Sequence, residues 1–311
     1  ISGDYMIIGA QLDDDKGSAS GSAYIFKRNG TAWIQYQKIV ASDGLTNDAF
    51  GYSVSIYGEY AIVGARLGNG IVDGVNVNDC GTAYIFKYIT NTGLWTEQTE
   101  LVANDRAVSD FFGVSVSIFG DYVIVGANGD DGALGVDYGS AYIFKRDTGA
   151  ETWSQQYKLV ASDGAVSDNF GSSVAISGDY AIVGAYGNDG TLGVNYGSAY
   201  IFKRDTNEET WTEQQILLTS DGAVNDNFGG SVSISGDYAI VGARLDDNIK
   251  GVDAGAAYIF KRDGVNWNEW QKLIPSDGVA SDNFGNQVAI DGDHVIIGSF
   301  LDDDKGVNSG S

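Results

Sequence analysis

The stretch FGSSVAISGDYAIVGA at residues 170–185, followed by GSAYIFK at residues 197–203, decides the fold because it recurs along the whole chain of 311 residues. Self-similarity at a fixed period is the signature of a repeat architecture, so each copy is expected to build the same structural unit. The copies begin with Phe-Gly at Phe50, Phe112, Phe170, Phe228 and Phe284.

One copy predicts a four-stranded antiparallel meander. Residues 174–176 form the predicted strand a, and a Gly-Asp turn, suited to the positive φ angles of a tight hairpin, leads into strand b at residues 180–185. Strand c is predicted at residues 198–203 and a more polar strand d at residues 211–218. Strands b and c are apolar on consecutive residues, which is typical of burial on both faces. Burial thus decreases from the inner strands to the outer strand, which is the pattern of a β-propeller blade.

The predicted fold class is therefore all-β, a β-propeller of four-stranded antiparallel blades with about five full repeats plus partial blades at both ends. The whole of residues 1–311 is expected to form a single domain, with repeats starting near residues 50, 112, 170, 228 and 284. No segment carries a period of 3.6 residues, which excludes a helical solenoid. The chain opens at Ile1 inside a repeat, so it is expected to be mature, excised or partial. If it is a fragment, a propeller of seven blades is an alternative.

Two motifs carry a family resemblance. Phe-Gly at the start of strand a and Val-Gly-Ala at the end of strand b resemble the FG-GAP repeat of integrin α-subunit propellers, and more closely its bacterial relatives. The resemblance covers essentially all of the chain and implies a β-propeller used in adhesion or recognition. Integrin-type repeats often hold calcium in an Asp-rich loop between strands a and b. That turn is only Ser-Gly-Asp here, so those ligands are not carried over.

Charge and composition limit the range of possible binding partners. The chain has 18 basic and 42 acidic residues, a net charge of −24, which disfavours nucleic acid and anionic membranes. No apolar run approaches the roughly 18 residues of a membrane span, so no membrane insertion is expected. Cys80 is the only cysteine, which rules out an internal disulfide. The negative charge favours cations or basic surfaces as partners. The FG-GAP resemblance implies an extracellular or cell-surface location.

The acids concentrate in two kinds of loop, b–c and d–a, which lie on the same side of a blade. The b–c loops contain Asp13, Asp14, Asp15, Asp130, Asp131, Asp189, Asp246, Asp247, Asp302, Asp303 and Asp304. The d–a loops contain aspartate pairs five residues apart, namely Asp43/Asp48, Asp105/Asp110, Asp163/Asp168, Asp221/Asp226 and Asp277/Asp282. Nine basic residues stand at the ends of strand c on the other side, so the loop side is predicted to be acidic.

Two explanations compete for these aspartates. Asp side chains bond nearby backbone N–H groups and are common in turns, so a purely structural role accounts for them, above all for the d–a pairs. Clustered carboxylates and loop carbonyls are also the hard oxygen ligands that Ca²⁺ prefers. Adjacent like charges raise one another's pKa unless something neutralises them, which favours a cation in the Asp-Asp-Asp loops. All of these aspartates are therefore candidate calcium ligands.

The sequence argues against catalysis. His294 is the only histidine and replaces the tyrosine of a Gly-Asp-Tyr turn, so a Ser-His-Asp or Cys-His arrangement has no credible partners. Residues 138–148 and 196–206 are identical, whereas an active site needs different residues in distinct roles. We therefore expect a protein that is not an enzyme, although carboxylate pairs can serve a glycosidase.

The leading functional hypothesis is an extracellular structural protein, stabilised by calcium, that assembles head to tail into a fibre or surface layer. Residues 290–311 repeat the pattern of residues 1–22, so copies of this chain could exchange strands and form a homopolymer. The alternative is an integrin-like adhesion or binding module that recognises an extracellular protein or glycan through its acidic loops.

Overall fold

The computed structural model describes residues 1–72, 75–131, 136–189, 194–303 and 309–311. Regular secondary structure in this part of the chain is entirely β-strand, which confirms the all-β class. The described chain accordingly holds no helix long and apolar enough to cross a membrane. It divides into two compact units, residues 1–132 with 139–159, and residues 133–138 with 160–311.

The first unit contains three successive antiparallel sheets. Its strands are β1 (Tyr5–Ala10), β2 (Ser22–Asn29), β3 (Ala32–Ile39), β4 (Phe50–Tyr57), β5 (Tyr60–Ala65), β6 (Gly70–Val72), β7 (Val75–Val77), β8 (Thr82–Ile89), β9 (Leu94–Leu101), β10 (Ser115–Phe119), β11 (Tyr122–Ala127), β12 (Ser140–Asp147) and β13 (Thr152–Leu159). The sheets have the orders β1-β2-β3, β4-β5-β8-β9 and β10-β11-β12-β13, and β6-β7 is a hairpin within a b–c loop. We call these sheets the first, second and third blades.

The second unit continues the same pattern. Its strands are β14 (Ser173–Ser177), β15 (Tyr180–Ala185), β16 (Ser198–Asp205), β17 (Thr210–Leu217), β18 (Phe228–Ser235), β19 (Tyr238–Ala243), β20 (Ala256–Asp263), β21 (Asn266–Leu273), β22 (Phe284–Asp291) and β23 (His294–Ser299). The sheets β14-β15-β16-β17, β18-β19-β20-β21 and β22-β23 are the fourth, fifth and sixth blades. Among the described residues, four of the six blades thus have the predicted strands a, b, c and d, and the first and sixth are partial.

The fourth blade shows how the sequence makes one unit. Ser177 pairs with Tyr180 across the a–b turn, as predicted. Only Gly178 of the two turn residues has a positive φ, at 59°, so the turn needs glycine at its first position and Asp179 has ordinary backbone geometry. Strands c and d pair with a bulge between Ile201 and Phe202, and the other described c–d pairs bulge at the equivalent position.

The two glycines of the repeat bring successive blades together. A Cβ built on the strand-b glycine would lie under 3.0 Å from the carbonyl oxygen of the Phe-Gly glycine in the next blade. Only a residue without a side chain permits this approach. The contact recurs as Gly9 with Gly51, Gly64 with Gly113, Gly184 with Gly229, and Gly242 with Gly285.

The Phe-Gly aromatic is buried. Phe170 is fully shielded from solvent, with its ring edge-on to Tyr200 at 5.2 Å between centroids and to Phe202 at 6.0 Å. Phe228 repeats this arrangement in the fifth blade and belongs to a core that also contains Ile182 of the fourth. The aromatic therefore joins its own strand c to the neighbouring blade.

Candidate functional site

The second aspartate of each d–a pair is a turn residue. Its side chain is buried, and Oδ2 accepts a hydrogen bond of 2.5–2.7 Å from the backbone N–H three residues earlier. This is the turn chemistry that the structural explanation predicts. The residues are Asp48, Asp110, Asp168, Asp226 and Asp282.

The first aspartate of each pair faces strand c of the blade that follows. The hydroxyl of the strand-c tyrosine donates to its Oδ1 at 2.8–3.0 Å. The pairs are Tyr84 with Asp43, Tyr142 with Asp105, Tyr200 with Asp163, and Tyr258 with Asp221. Asp277 is exposed and precedes the two-stranded sixth blade. These bonds anchor each d–a loop to a buried strand.

The first acid of the b–c loop binds a lysine. In the third blade, Asp130 Oδ2 accepts from Tyr142 Oη at 2.6 Å and from Lys158 Nζ at 2.8 Å. The Lys158 ammonium also donates to Asp105 at 2.6 Å, so one cation joins both acidic loops. The same triad recurs as Asp13, Tyr24 and Lys38, and as Asp246, Tyr258 and Lys272.

The second acid of the b–c loop shapes the loop backbone. Asp14, Asp189 and Asp247 accept the N–H of Ala19, Asn195 and Asp253, respectively, at 2.8–2.9 Å. Each of these donor residues has a φ between 50° and 52°, a conformation that non-glycine residues rarely adopt without such support.

The remaining candidate acids lie in different environments. Asp15 forms an ion pair with Lys38, and Asp302 accepts from the Ser311 hydroxyl at 2.7 Å. Asp131 and Asp303 are exposed. Asp304, also a predicted metal ligand, lies outside the described residues.

The lysines of strand d are site residues that were not predicted from the sequence. Their signal was present in the repeats, because a b–c aspartate and a strand-d lysine occur in the same copies. The fourth blade has Asn188 at the aspartate position and Ile216 at the lysine position, so both charges are absent together. The lysine ammonium provides the positive charge that the sequence analysis expected from a bound Ca²⁺ ion.

Comparison with known families agrees with this repeated geometry. The sequence model described as "FG-GAP repeat" matches residues 1–26, 33–86, 95–144, 153–202, 211–260 and 267–311. The chain belongs to the FG-GAP repeat family. The resemblance predicted from Phe-Gly and Val-Gly-Ala is confirmed. FG-GAP repeats are typical of extracellular and cell-surface proteins, and they make this chain a binding or structural module.

A solved structure supports the same fold. The FG-GAP chain is similar to the periplasmic gluconolactonase PpgL of Pseudomonas aeruginosa, with a TM-score of 0.53 and 13% sequence identity. The similarity covers 88% of this chain and 69% of that one. At this identity the likeness shows the fold alone, the β-propeller class. No curated protein matches the chain.

The acidic loops of this FG-GAP protein do not form a preformed calcium-binding site among the described residues. Among the described residues, no group of three or more acidic, histidine or cysteine side chains is placed to hold a metal ion. The carboxylates in the Asp-Tyr-Lys triads already bind an ammonium group, which a divalent cation would have to displace. Calcium binding by these loops therefore remains a prediction from the sequence.

Acidification is expected to stabilise the fold. Burial raises the pKa of Asp110 and of Asp226 to about 6, outweighing the hydrogen bonds from Ala107 and Ala223 N–H. An unfolded aspartate titrates near pH 3.9. Between about pH 6 and pH 4 the folded chain therefore binds more protons than the unfolded chain, and the free energy of unfolding rises as the pH falls. From pH 8 to pH 5 we expect a gain of about 1.4 kcal/mol for each residue.

Thermal melts at pH 8 and pH 5 check this, with Asp110→Asn/Asp226→Asn as the control. Asparagine keeps an oxygen for the turn N–H but does not titrate, so the gain should largely disappear. Carboxylates with a lowered pKa have the opposite effect, because their contribution to the free energy of unfolding is lost as the pH falls further. The hydrogen bond from Lys87 holds the pKa of Glu151 at about 2, so its contribution is lost only below about pH 4.3. A melting temperature that falls steadily from pH 8 to pH 5 would contradict the prediction.

Proposed function

We propose that this FG-GAP chain is a non-enzymatic extracellular structural protein whose copies join head to tail through the sixth blade. The supporting observation is the open face of β23. Ile296 is 72% exposed there, whereas its equivalents Ile62, Ile182 and Ile240 are 0% exposed. An apolar face this open on an otherwise packed repeat is the kind of surface that a partner covers.

The glycine on the same face supports this interpretation. Residues two apart on a strand share a face, so Gly298 lies beside Ile296. A Cβ on Gly298 would meet nothing closer than 3.9 Å, whereas Gly242 is covered by the Gly285 carbonyl of the next blade. Gly298 thus occupies the repeat position at which other blades contact a Phe-Gly strand, but its own face is uncovered.

A second copy carries a segment that fits this surface. Gly51 of the second blade covers Gly9 of β1 in the first blade. The β1 sequence YMIIGA resembles HVIIGS of β23. If β23 takes the place of β1 beside β2 of the next copy, the Gly51 carbonyl would cover Gly298. The strand edge of β23 would then also find a partner, which removes an aggregation liability. The donor and acceptor surfaces differ, so the contact would propagate as a filament.

Light scattering and electron microscopy test the proposal. The chain is expected to form assemblies that grow with concentration, whereas Ile296→Lys should remain monomeric because it places a charge on the contact face. Ile249→Lys is the matched control, since Ile249 is 89% exposed in a b–c loop and should not affect assembly. A monodisperse monomer at high concentration, or equal assembly by Ile296→Lys, would exclude the head-to-tail contact.

One observation favours a second candidate, an adhesion module that binds a protein through its loops. Exposed valines recur among the acids of the second unit. The hydrogen bond from Ser167 N–H to Val136 O places Val136 beside the loop that carries Val166, and Val194 and Val224 repeat the arrangement. Aliphatic groups surrounded by carboxylates suit a basic protein surface better than a glycan. This candidate takes first place if the chain proves monomeric.

A further inference from the structure

The second blade breaks the charge pattern of the first, third and fifth blades. Its b–c loop has Gly68 where the third blade has Asp130, and its strand d has Glu100 where the third blade has Lys158. Glu100 is opposite Tyr84 in the register, as Lys158 is opposite its own tyrosine. The internal ammonium is therefore replaced by a carboxylate in this blade.

The fourth blade shows what the missing side chain would do. Asn188 Nδ2 donates to Asp168 Oδ2 at 3.0 Å and lies 3.1 Å from Tyr200 Oη, and Asn188 Oδ1 accepts from Ser198 Oγ at 3.1 Å. One side chain thus joins three polar groups. The equivalent groups in the second blade are Asp48, Tyr84 and Thr82.

In the second blade, Asp48 Oδ2 accepts the Leu45 N–H at 2.6 Å, but Asp48 Oδ1 and Thr82 Oγ1 have no hydrogen-bond partner among the described residues. Thr82 Oγ1 lies 2.6 Å from the place that a Cβ of residue 68 would occupy, so the hydroxyl points at the missing side chain. Both Thr82 Oγ1 and Asp48 Oδ1 are buried without a hydrogen bond in the described chain. Thr82 is 2% exposed and Asp48 is 5% exposed, so bulk water does not compensate. Buried polar atoms of this kind destabilise a fold unless a ligand satisfies them.

The surroundings have an excess of negative charge. Asp43 accepts from Tyr84 Oη at 2.9 Å, and Glu100 is the cross-strand partner of the same tyrosine, so two carboxylates flank Tyr84. Of the basic residues nearby, Arg106 donates to the carbonyl of Ile71 at 2.6 Å. Lys16 likewise donates to a backbone carbonyl, that of Ser42, at 3.3 Å. No lysine takes the position that Lys158 has in the third blade.

We propose that Asp48 Oδ1, Thr82 Oγ1 and the carboxylates of Asp43 and Glu100 bind a hard cation of the Ca²⁺ type. The cation takes the place of the lysine ammonium of the first, third and fifth blades and satisfies the two buried oxygens. Ca²⁺ accepts irregular sets of carboxylate and neutral oxygen ligands completed by water. The carboxylates of Asp43, Asp48 and Glu100 do not converge on one point among the described residues. The Glu100 side chain is long enough to turn towards Asp43 when the cation binds. This site is independent of head-to-tail assembly.

The decisive variant converts the second blade to the pattern of the first. Gly68→Asp/Thr82→Ser/Glu100→Lys recreates the set Asp13, Ser22 and Lys38, in which Lys38 is the internal cation. Calorimetric titration with Ca²⁺ should show one fewer site in this variant than in the parent chain. Its melting temperature in chelator should also be higher than that of the parent chain in chelator, at equal ionic strength.

Two controls separate the site from general charge effects. Ile216→Lys changes the net charge by the same +1 in the fourth blade, and it should bind as many Ca²⁺ ions as the parent. Glu100→Gln keeps the shape of the side chain and should weaken Ca²⁺ binding at least tenfold, even if the triple variant folds poorly. Equal Ca²⁺ stoichiometry and affinity in all variants, or a parent chain that binds no Ca²⁺, would overturn the proposal and leave a buried water as the partner of Asp48 and Thr82.

Discussion

Replacing Gly242 by alanine is expected to destabilise the second unit by about 3 kcal/mol or more, at the upper end of overpacking effects. The added methyl group would lie under 3.0 Å from the Gly285 carbonyl oxygen, so two packed strands must separate. Backbone cannot rotate out of the way as a flexible side chain can. Urea denaturation, followed by tryptophan fluorescence, measures the loss.

The chain has a matched control for this substitution. Gly298 occupies the same position of the repeat, but its nearest neighbour is 3.9 Å from the added Cβ. Gly298→Ala should therefore change the free energy of unfolding by less than about 0.5 kcal/mol when the chain is dilute enough to be monomeric. Similar losses at the two positions would mean that the close approach of the Phe-Gly carbonyl is not what requires glycine.

The Phe228→Ala substitution is expected to cost about 3–5 kcal/mol, the usual range for a buried phenylalanine. The ring of Phe228 is fully buried, with centroids 5.6 Å from Tyr258 and 6.0 Å from Phe260. Its removal leaves a cavity between the fourth and fifth blades that rigid strands cannot collapse to fill. Chemical denaturation of the purified variant gives the difference directly.

Two further variants show whether the loss comes from the cavity. Phe228→Leu should cost less than Phe228→Ala, because leucine fills part of the same space. Phe300 is 47% exposed, and Phe300→Ala should have little effect on stability. A loss below 1 kcal/mol for Phe228→Ala would mean that the ring does not fill the core as described.

The sequence by itself determined the strands and their burial. The Gly-Asp turn, the apolar run of strand b and the polar strand d are local patterns, so residues 174–218 predicted one blade and the repeats supplied the rest. Local patterns suffice here since strand and turn formation depend on residues close in sequence.

Only the tertiary structure decided what the acidic residues contact. Turn formation and cation binding both explained the paired aspartates, and the choice depended on groups far along the chain, such as Lys158 for Asp130 and Tyr84 for Asp43. The approach of Gly242 to Gly285 likewise joins two blades and has no local signal. Cross-strand and cross-blade neighbours depend on how the sheets pair and pack. The carboxylates could therefore be identified from the sequence, whereas their partners were determined by the packing.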